Sequence, residues 1–540
     1  MRVVTPEQMR ALDQHTIQNG VPGPRLMERA GWGLALALWR HIDRFGARPV
    51  LILCGPGNNG GDGFVLARLL WKRGLRPDVV LVGARETVRG DARQALARLM
   101  AVGCSVRICS EARDLEPLVR WWGARTGAVV VDALLGTGTQ GAPRGLIAEA
   151  IKVIHEIVHR AGALVVAVDV PTGVDTLTGA VSGEAISADL TVTMANPKTG
   201  FFFYPGRNHI GRVVVVDIGV KEPRPEALPL DLSALTAPEA ALLVPRRRHD
   251  AHKGDLGRVI VLGGSPGLTG AVALAAEASV AAGAGLVTVG VPAGLHSIFE
   301  SKLTEPMSIP LAETDGHYLA VEGMGTILKR EPGWDVAAFG PGLGRYPEAH
   351  RVAADFYTHF PGPLVVDADG LNALGEGEWP PRSGPPAILT PHPGEMSRLL
   401  GIPIPDVISH PMEIAQACAR DRKAVVILKG GPTLVASPDG AVSFNPTGNP
   451  GMATGGSGDV LTGILAGLLA QGLPPWDAAR LGVYLHGLAG DIAAMEKGWH
   501  SMKAGDITRC LSKAFSHVDQ PMTDFEESLV MDRIDEAASL

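Results

Sequence analysis

The sequence has little cysteine and no CxxC pair. Its five cysteines, Cys54, Cys104, Cys109, Cys418 and Cys510, stand far apart. An odd, scattered set argues against a disulfide framework or a cysteine zinc site. It points instead to buried thiols in a reducing, cytoplasmic setting. Basic residues are not in excess: 49 Lys and Arg against 56 Asp and Glu leave a formal charge of −7. A chain so balanced is not built to coat nucleic acid. No clean apolar run reaches the ~18 residues of a membrane span. The stretch around Gly270 to Leu295 carries Glu277, and the run from Val460 to Leu473 is too short. The GxxxxGK[ST] loop of P-loop nucleotidases is missing as well.

What the chain does have is 46% hydrophobic residues, 68 Gly and 41 Pro over 540 residues. That is enough for two to four packed domains at ~150 residues each. The amino-terminal Thr5, Pro6 and Gln8 read as a helix start rather than a signal peptide. From residue 49 onward short Val-rich runs alternate with amphipathic segments. PVLILC (49–54), DVVLVG (78–83), AVVVDALLG (128–136), LVVAVDVP (164–171), LTVTMA (190–195) and RVVVVDIGV (212–220) predict a largely parallel sheet with helices on both faces. The pattern stops at a Pro-rich stretch after Lys221. It restarts at GRVIVLGGS (257–265) and continues through AVVILKGG to a helix after GGSGD. The expected division is residues 1–225, a linker at 226–240, a second domain at 241–515 and a polar tail at 516–540.

Binding sites in such sheets lie beyond the carboxyl ends of the strands. In the first half, Gly55 to Gly63 (GPGNNGGDG) follows a strand and opens a helix, a place where backbone N–H groups gather around an anion. It satisfies GxGxxG. The next strand, however, ends in Gly83 and Ala84, without the acid that would hold a dinucleotide ribose. A tight turn with no ligand is the plainer alternative. Asp132 and Asp169 end two further strands, the second followed by Pro171, Thr172 and Gly173. Either could merely cap a helix, or the loops could form one site. Oxygens of Asn59, Asp132 and Thr172 could surround a hard cation, leaving Asp169 for proton transfer.

GPGNNGGDG, VDALLGTGTQG and DVPTGVD together closely resemble the epimerase domain of the NAD(P)H-hydrate repair enzymes, over roughly residues 1–220. That resemblance implies a Rossmann-like three-layer α/β/α domain that interconverts the R and S epimers of NADHX and NADPHX. It implies a K+ ion at Asn59, Asp132 and Thr172. Substrate contacts are implied at Asn58, Asn59, Gly60, Gly61 and Asp62, at Gly136, Thr137, Gly138, Thr139, Gln140, Gly141 and Ala142, and at Asp169. The family often has Ser where Thr172 stands; both supply a hydroxyl.

In the second half, Gly455-Gly456-Ser457-Gly458-Asp459 precedes an apolar helix. Its backbone N–H groups would hold phosphoryl charge, with Asp459 accepting a proton from an attacking hydroxyl. Alternatively, Asp459 is an idle helix cap. His392, between Pro391 and Pro393 after a strand, is either a substrate contact or structural. His252 and Lys253 precede a strand and could be active-site or surface residues. GGSGD, with FGPGLG (339–344), DADGLNAL (367–374), LTPHPGE (389–395) and VILKGGPT (426–433), resembles the ribokinase-like ADP-dependent NAD(P)H-hydrate dehydratases over about 240–512. This implies a second, ribokinase-like α/β domain. Nucleotide contacts are implied at Lys429, Gly430, Gly431, Pro432, Thr433 and Gly458, and hydrate contacts at Ala271, Gly344, His392 and Asp459. ADP as co-substrate, Mg2+ on its phosphates and a homo-oligomeric assembly are expected. The rivals are a vitamin kinase of the hydroxymethylpyrimidine or pyridoxal type fused to a binding domain, and a nucleotide sensor without turnover.

Overall fold

The computed structural model describes residues 1–138, 141–223, 231–330, 333–519 and 532–534. The chain divides into two compact units, Met1–Leu230 with Glu527–Leu540, and Asp231–Glu526.

The first unit opens with helix α1 (Pro6–Gln18). Thr5 caps it, Pro6 starts it and Gln8 returns a bond to the Thr5 backbone, so the predicted start is real. Helix α2 (Gly23–His41) follows. The sheet then begins with β1 (Val50–Cys54), β2 (Asp78–Val82) and β3 (Val106–Cys109). It continues with β4 (Val129–Ala133), β5 (Leu164–Val168), β6 (Leu190–Met194) and β7 (Arg212–Val216). All pair in parallel, in the order 7-6-5-4-1-2-3. Alternate residues of β1 face two cores. Val50, Ile52 and Cys54 pack toward Leu34 and Leu66, whereas Leu51 and Leu53 pack toward Leu118 and Ile154. That two-sided burial is why the strands read as continuous apolar runs. The order reverses between β1 and β4, where Cys54 lies level with Ala133. The loops that follow diverge there and open a crevice.

Edge strand β3 and the helix Ala112–Trp122 are absent from the predicted pattern. Two of the four β3 residues are exposed, so the strand lacks a continuous apolar run.

The second unit carries a ten-stranded sheet. Its strands are β8 (Leu232–Ala234), β9 (Arg258–Leu262), β10 (Leu286–Pro292), β11 (Met307–Leu311), β12 (Val336–Phe339), β13 (Leu364–Val366), β14 (Ile388–Leu389), β15 (Val425–Leu428), β16 (Leu434–Ala436) and β17 (Val442–Phe444). The order is 11-10-9-12-13-14-15-16-17-8, parallel from β11 to β15, with β16 antiparallel to both neighbours. The apolar run after Asp459 is the helix Ser457–Ala470, buried from Val460 to Leu469. A Cβ at Gly463 would lie 2.1 Å from the carbonyl of Ala275 on the helix Thr269–Ala281, so the missing side chain permits the close crossing. Among the described residues, no helix is long and apolar enough to cross a membrane.

Two boundaries depart from the expected ones. The linker at 226–240 contains β8, which pairs with β17, and the start of helix Ala237–Leu243, whose Thr236–Glu239 capping box stabilises it; residues 224–230 lie outside the described ones. The tail at 516–540 begins inside helix Ala504–Asp519, because His517 and Val518 are buried on the same face as Ala514. Further on, Asp532–Ile534 forms β18, parallel to β7 at the edge of the first sheet. There its backbone groups pair with the otherwise open side of β7.

Candidate active sites

In the first unit a cavity of about 590 Å³ opens at the β1/β4 switch point. Its wall includes Asn58, Asn59 and Asp62 from the first glycine-rich segment, Gly136 to Gly138 after β4, and Asp169 after β5. Helix α3 (Asn58–Lys72) begins at Asn58, so these polar residues occupy its first turns rather than a preceding loop. Gly60 explains the register: a Cβ there would sit 1.9 Å from the carbonyl oxygen of Gly55. Gly60 and Gly61 are buried packing positions outside the cavity wall. Gly141 and Ala142 also lie outside that wall, and Thr139 and Gln140 fall outside the described residues.

Asp169 adopts a left-handed backbone, φ 63°. Its Oδ1 accepts from Lys198 Nζ at 2.5 Å, Thr193 Oγ1 at 3.0 Å and Met194 N at 3.3 Å. Lys198 is 1% exposed, so its ammonium is nearly dry. It is not a helix cap. Asp62 is pushed well above the usual carboxylate range by burial and then by Asp169 and Asp13.

Beneath the cavity, Asp132 is fully buried. It accepts from Leu134 N at 3.2 Å, Thr172 N at 2.8 Å and Thr172 Oγ1 at 2.7 Å. Burial raises it to about 6 against those bonds. Asn59 donates its Nδ2 to the Leu135 carbonyl at 2.8 Å, and Leu135 N donates to Thr172 Oγ1 at 3.1 Å. The three residues therefore form one oxygen-rich cluster.

Sequence reasoning missed Lys198 and Asp13. Lys198 gives no pattern signal, because a lone lysine four residues past a strand is usually a surface residue. Asp13 did give one: it sits on the α1 face marked by Met9 and Leu12, where a core residue is expected.

In the second unit, neighbouring strands β13, β14 and β15 deliver Asp367, His392 with Glu395, and Lys429 to one place. Lys429 Nζ lies 2.7 Å from Asp367 Oδ1 and 3.6 Å from Glu395 Oε2. Thr462 donates to Asp367 Oδ2 at 2.7 Å. Burial alone would raise Asp367 and lower Lys429, but their ion pair and hydrogen bonds outweigh it, with Asp367 held below and Lys429 above the usual values. A Cβ at Gly458 would stand 3.3 Å from Lys429 Nζ, so the glycine leaves that ammonium uncovered.

Asp459 is the third residue of its helix; the cap is Gly456, in a left-handed conformation. Asp459 is therefore not the cap of this helix. No described residue hydrogen-bonds the Asp459 carboxyl. Burial, then Asp367, raises it to about 7. Gly344 donates its N–H to Asp369 at 3.0 Å, and Ala271 packs under the same turn, 3.3 Å from a Cβ placed at Gly342. His392 caps the helix Pro393–Leu400: its Nδ1 accepts from Gly394 N and Glu395 N, which leaves Nε2 to carry the proton. The side chain is half exposed, so a structural duty and an open ring edge coexist. After Lys429 the chain bends through exposed Gly430 and Gly431 to half-buried Pro432 and Thr433, whose Oγ1 donates to the Gly430 carbonyl. His252 and Lys253 lie on the surface. A cavity of about 620 Å³ also opens at the amino ends of β9, β10 and β11, around Arg258, Met307 and Trp334; none of the residues above lines it.

A base with that raised value has a signature. kcat/KM of the reaction at this site should climb with pH through about 7, because the free carboxylate is the active form. A flat profile between about pH 6 and about pH 8 would remove Asp459 from proton transfer.

Comparisons with known proteins match both halves of the chain. A family described as YjeF-related protein N-terminus matches residues 23–200. A second, described as NAD(P)H-hydrate dehydratase, matches residues 259–513. The bifunctional NAD(P)H-hydrate repair enzyme of Moorella thermoacetica is 43% identical over 96% of this chain and 98% of its own. That of Coxiella burnetii is 37% identical over 93% and 96%. Among solved structures, the ADP/ATP-dependent NAD(P)H-hydrate dehydratase of Bacillus subtilis, crystallised with ATP and Mg2+, is 30% identical, with TM-score 0.48, over 54% of this chain and 99% of its own. With both halves matched and relatives aligned along nearly its whole length, the chain belongs to the family of bifunctional NAD(P)H-hydrate repair enzymes.

Proposed function

We propose that the first unit interconverts R and S NAD(P)H hydrates, with Asp169 moving the proton, and that the second dehydrates the S epimer, with Asp459 as base. One observation carries this reading: each unit places a carboxylate beside a glycine-rich helix start, Asp169 near Asn58 to Asp62 and Asp459 within Gly455 to Asp459.

In the first cavity the hydrated ring nitrogen can expel the neighbouring hydroxyl, or open the ring, and the reverse step on the other face inverts the carbon. Asn58, Asn59, Asp62 and Gly136 to Gly138 orient the nicotinamide. K+ fits the cluster below. Asp132 is a buried carboxylate with no lysine or arginine paired to it among the described residues, and Asn59 and Thr172 add neutral hard oxygens. One positive charge there would balance Asp132 and hold the Leu135 and Gly136 backbone in place.

In the second unit a nucleoside diphosphate lies along Lys429 to Thr433, with its terminal phosphoryl group toward Gly458. Mg2+ supplies charge neutralisation on the phosphate oxygens. Ala271, Gly344 and His392 hold the hydrate. Asp459 takes the proton as its hydroxyl attacks phosphorus, converting a poor leaving group into a good one. The ring nitrogen then expels phosphate. The five cysteines are all free and buried, which suits a cytoplasmic enzyme.

Mixed R and S hydrate with ADP and Mg2+ should yield reduced cofactor completely, with AMP and free phosphate. Without nucleotide the epimers should only equilibrate, and that exchange should fail when K+ is replaced by tetramethylammonium. Indifference to the cation would sink the potassium assignment. A phosphorylated product that persists would favour the vitamin kinase, and binding without turnover the sensor.

A further inference from the structure

We propose that Asp13 is a second proton-transfer residue of the first cavity, acting with Asp169 on opposite steps of the same inversion. The proposal rests on reading that cavity as the epimerase site.

Helix α1 reaches the cavity because its ends are tied down. Val4 forms a parallel bridge with Lys198: Val4 N donates to the Pro197 carbonyl at 3.0 Å, and Thr199 N donates to the Val4 carbonyl at 3.1 Å. Thr16 Oγ1 accepts from Lys221 N at 2.9 Å. Met9, Asp13 and Ile17, spaced by four, then line the cavity with Asp62, Asp169 and Lys198. No described residue hydrogen-bonds the Asp13 carboxyl. Among the described residues Asp13 neither caps α1 nor forms an ion pair, and it shares the cavity wall with Met9 and Ile17 of the same helix.

The charged groups lining the cavity around it are Arg10, Asp62, Asp91, Asp169 and Lys198. The buried ammonium of Lys198 is already committed to Asp169. Burial raises Asp13 to about 6; Lys198 lowers it and Asp169 raises it again. Asp13 is thus placed to carry a proton, whereas Asp169, with three donors on one oxygen, is placed to receive one.

The dehydrative form of the inversion needs both. Asp13 gives its proton to the hydroxyl oxygen at ring carbon six. The C–O bond breaks, water departs with the electron pair, and the nitrogen lone pair forms the C=N bond. Water then adds to the opposite face, its proton passes to Asp169, and the C=N pair returns to nitrogen. The reverse inversion runs with the roles exchanged.

The test uses the full chain and pure S hydrate without nucleotide, with epimers separated by chromatography. The parent must equilibrate them; if it does not, the epimerase reading itself fails. Asp13→Asn should then lower kcat by ~10²–10⁴-fold with KM within about threefold. It should also abolish the fall in kcat/KM expected of the parent as pH rises past about 6. Dehydration of S hydrate with ADP should be unchanged, and Asp13→Glu should recover at least ~10-fold of the lost rate. Inversion within about threefold of the parent, a loss confined to KM, or an unaltered pH profile would each overturn the proposal. So would a rate loss seen with Asp62→Asn but not with Asp13→Asn.

Discussion

Asp459→Asn should stop dehydration, with a loss of ~10²–10⁴-fold, and leave nucleotide-free inversion untouched. Asparagine keeps the size and polarity of the side chain but cannot take the hydroxyl proton. The helix start should survive, because Gly456 rather than Asp459 caps it. Stability supplies an independent check. Burial and the facing Asp367 raise Asp459 from 3.8 to about 7. The folded state therefore binds more protons than the unfolded state over that window, and this residue makes stability fall as pH rises through it. Removing the carboxyl removes that penalty. At pH well above 7 the variant should melt no lower than the parent while its dehydratase activity is gone. Activity lost together with a lower Tm would mean damage to the fold, and near-normal turnover would end the assignment of Asp459 as base.

Asp169→Asn should abolish inversion to a similar extent, but here stability should suffer. Lys198 is 1% exposed and donates to Asp169 at 2.5 Å. Without the carboxylate a buried ammonium is left uncompensated, a loss of ~3–5 kcal/mol. Replacing both partners, as Asp169→Asn with Lys198→Met, should restore much of that stability, because a matched apolar side chain avoids the desolvation cost. Inversion should stay absent in the double variant, and dehydration should proceed normally in both. A double variant that inverts at near the parent rate would show that the ion pair holds the fold and does no chemistry.

The expected strands and the observed ones coincide where burial is two-sided. PVLILC became Val50–Cys54, and LVVAVDVP became Leu164–Val168. Legibility fell where strands are short or half exposed. Edge strand β3 and the antiparallel β16 and β17 are only three or four residues long and give no recognisable period. Short runs of that kind cannot be separated from loop by pattern alone.

The sequence by itself determined the two α/β units, the glycine-rich strand ends and the carboxylates Asp132, Asp169 and Asp459. Asp132 and Asp169 close apolar strand runs at their carboxyl ends, whereas Asp459 follows a run of small residues at a helix start. Tertiary structure alone decided which distant groups face them. Lys198 reaches Asp169 from the segment after β6, Asp13 arrives on α1, and Asp367, Glu395 and Lys429 converge from three adjacent strands. Side-chain period records which face of an element is buried. It does not record which buried charge will meet which, because that depends on the order in which strands are placed in the sheet.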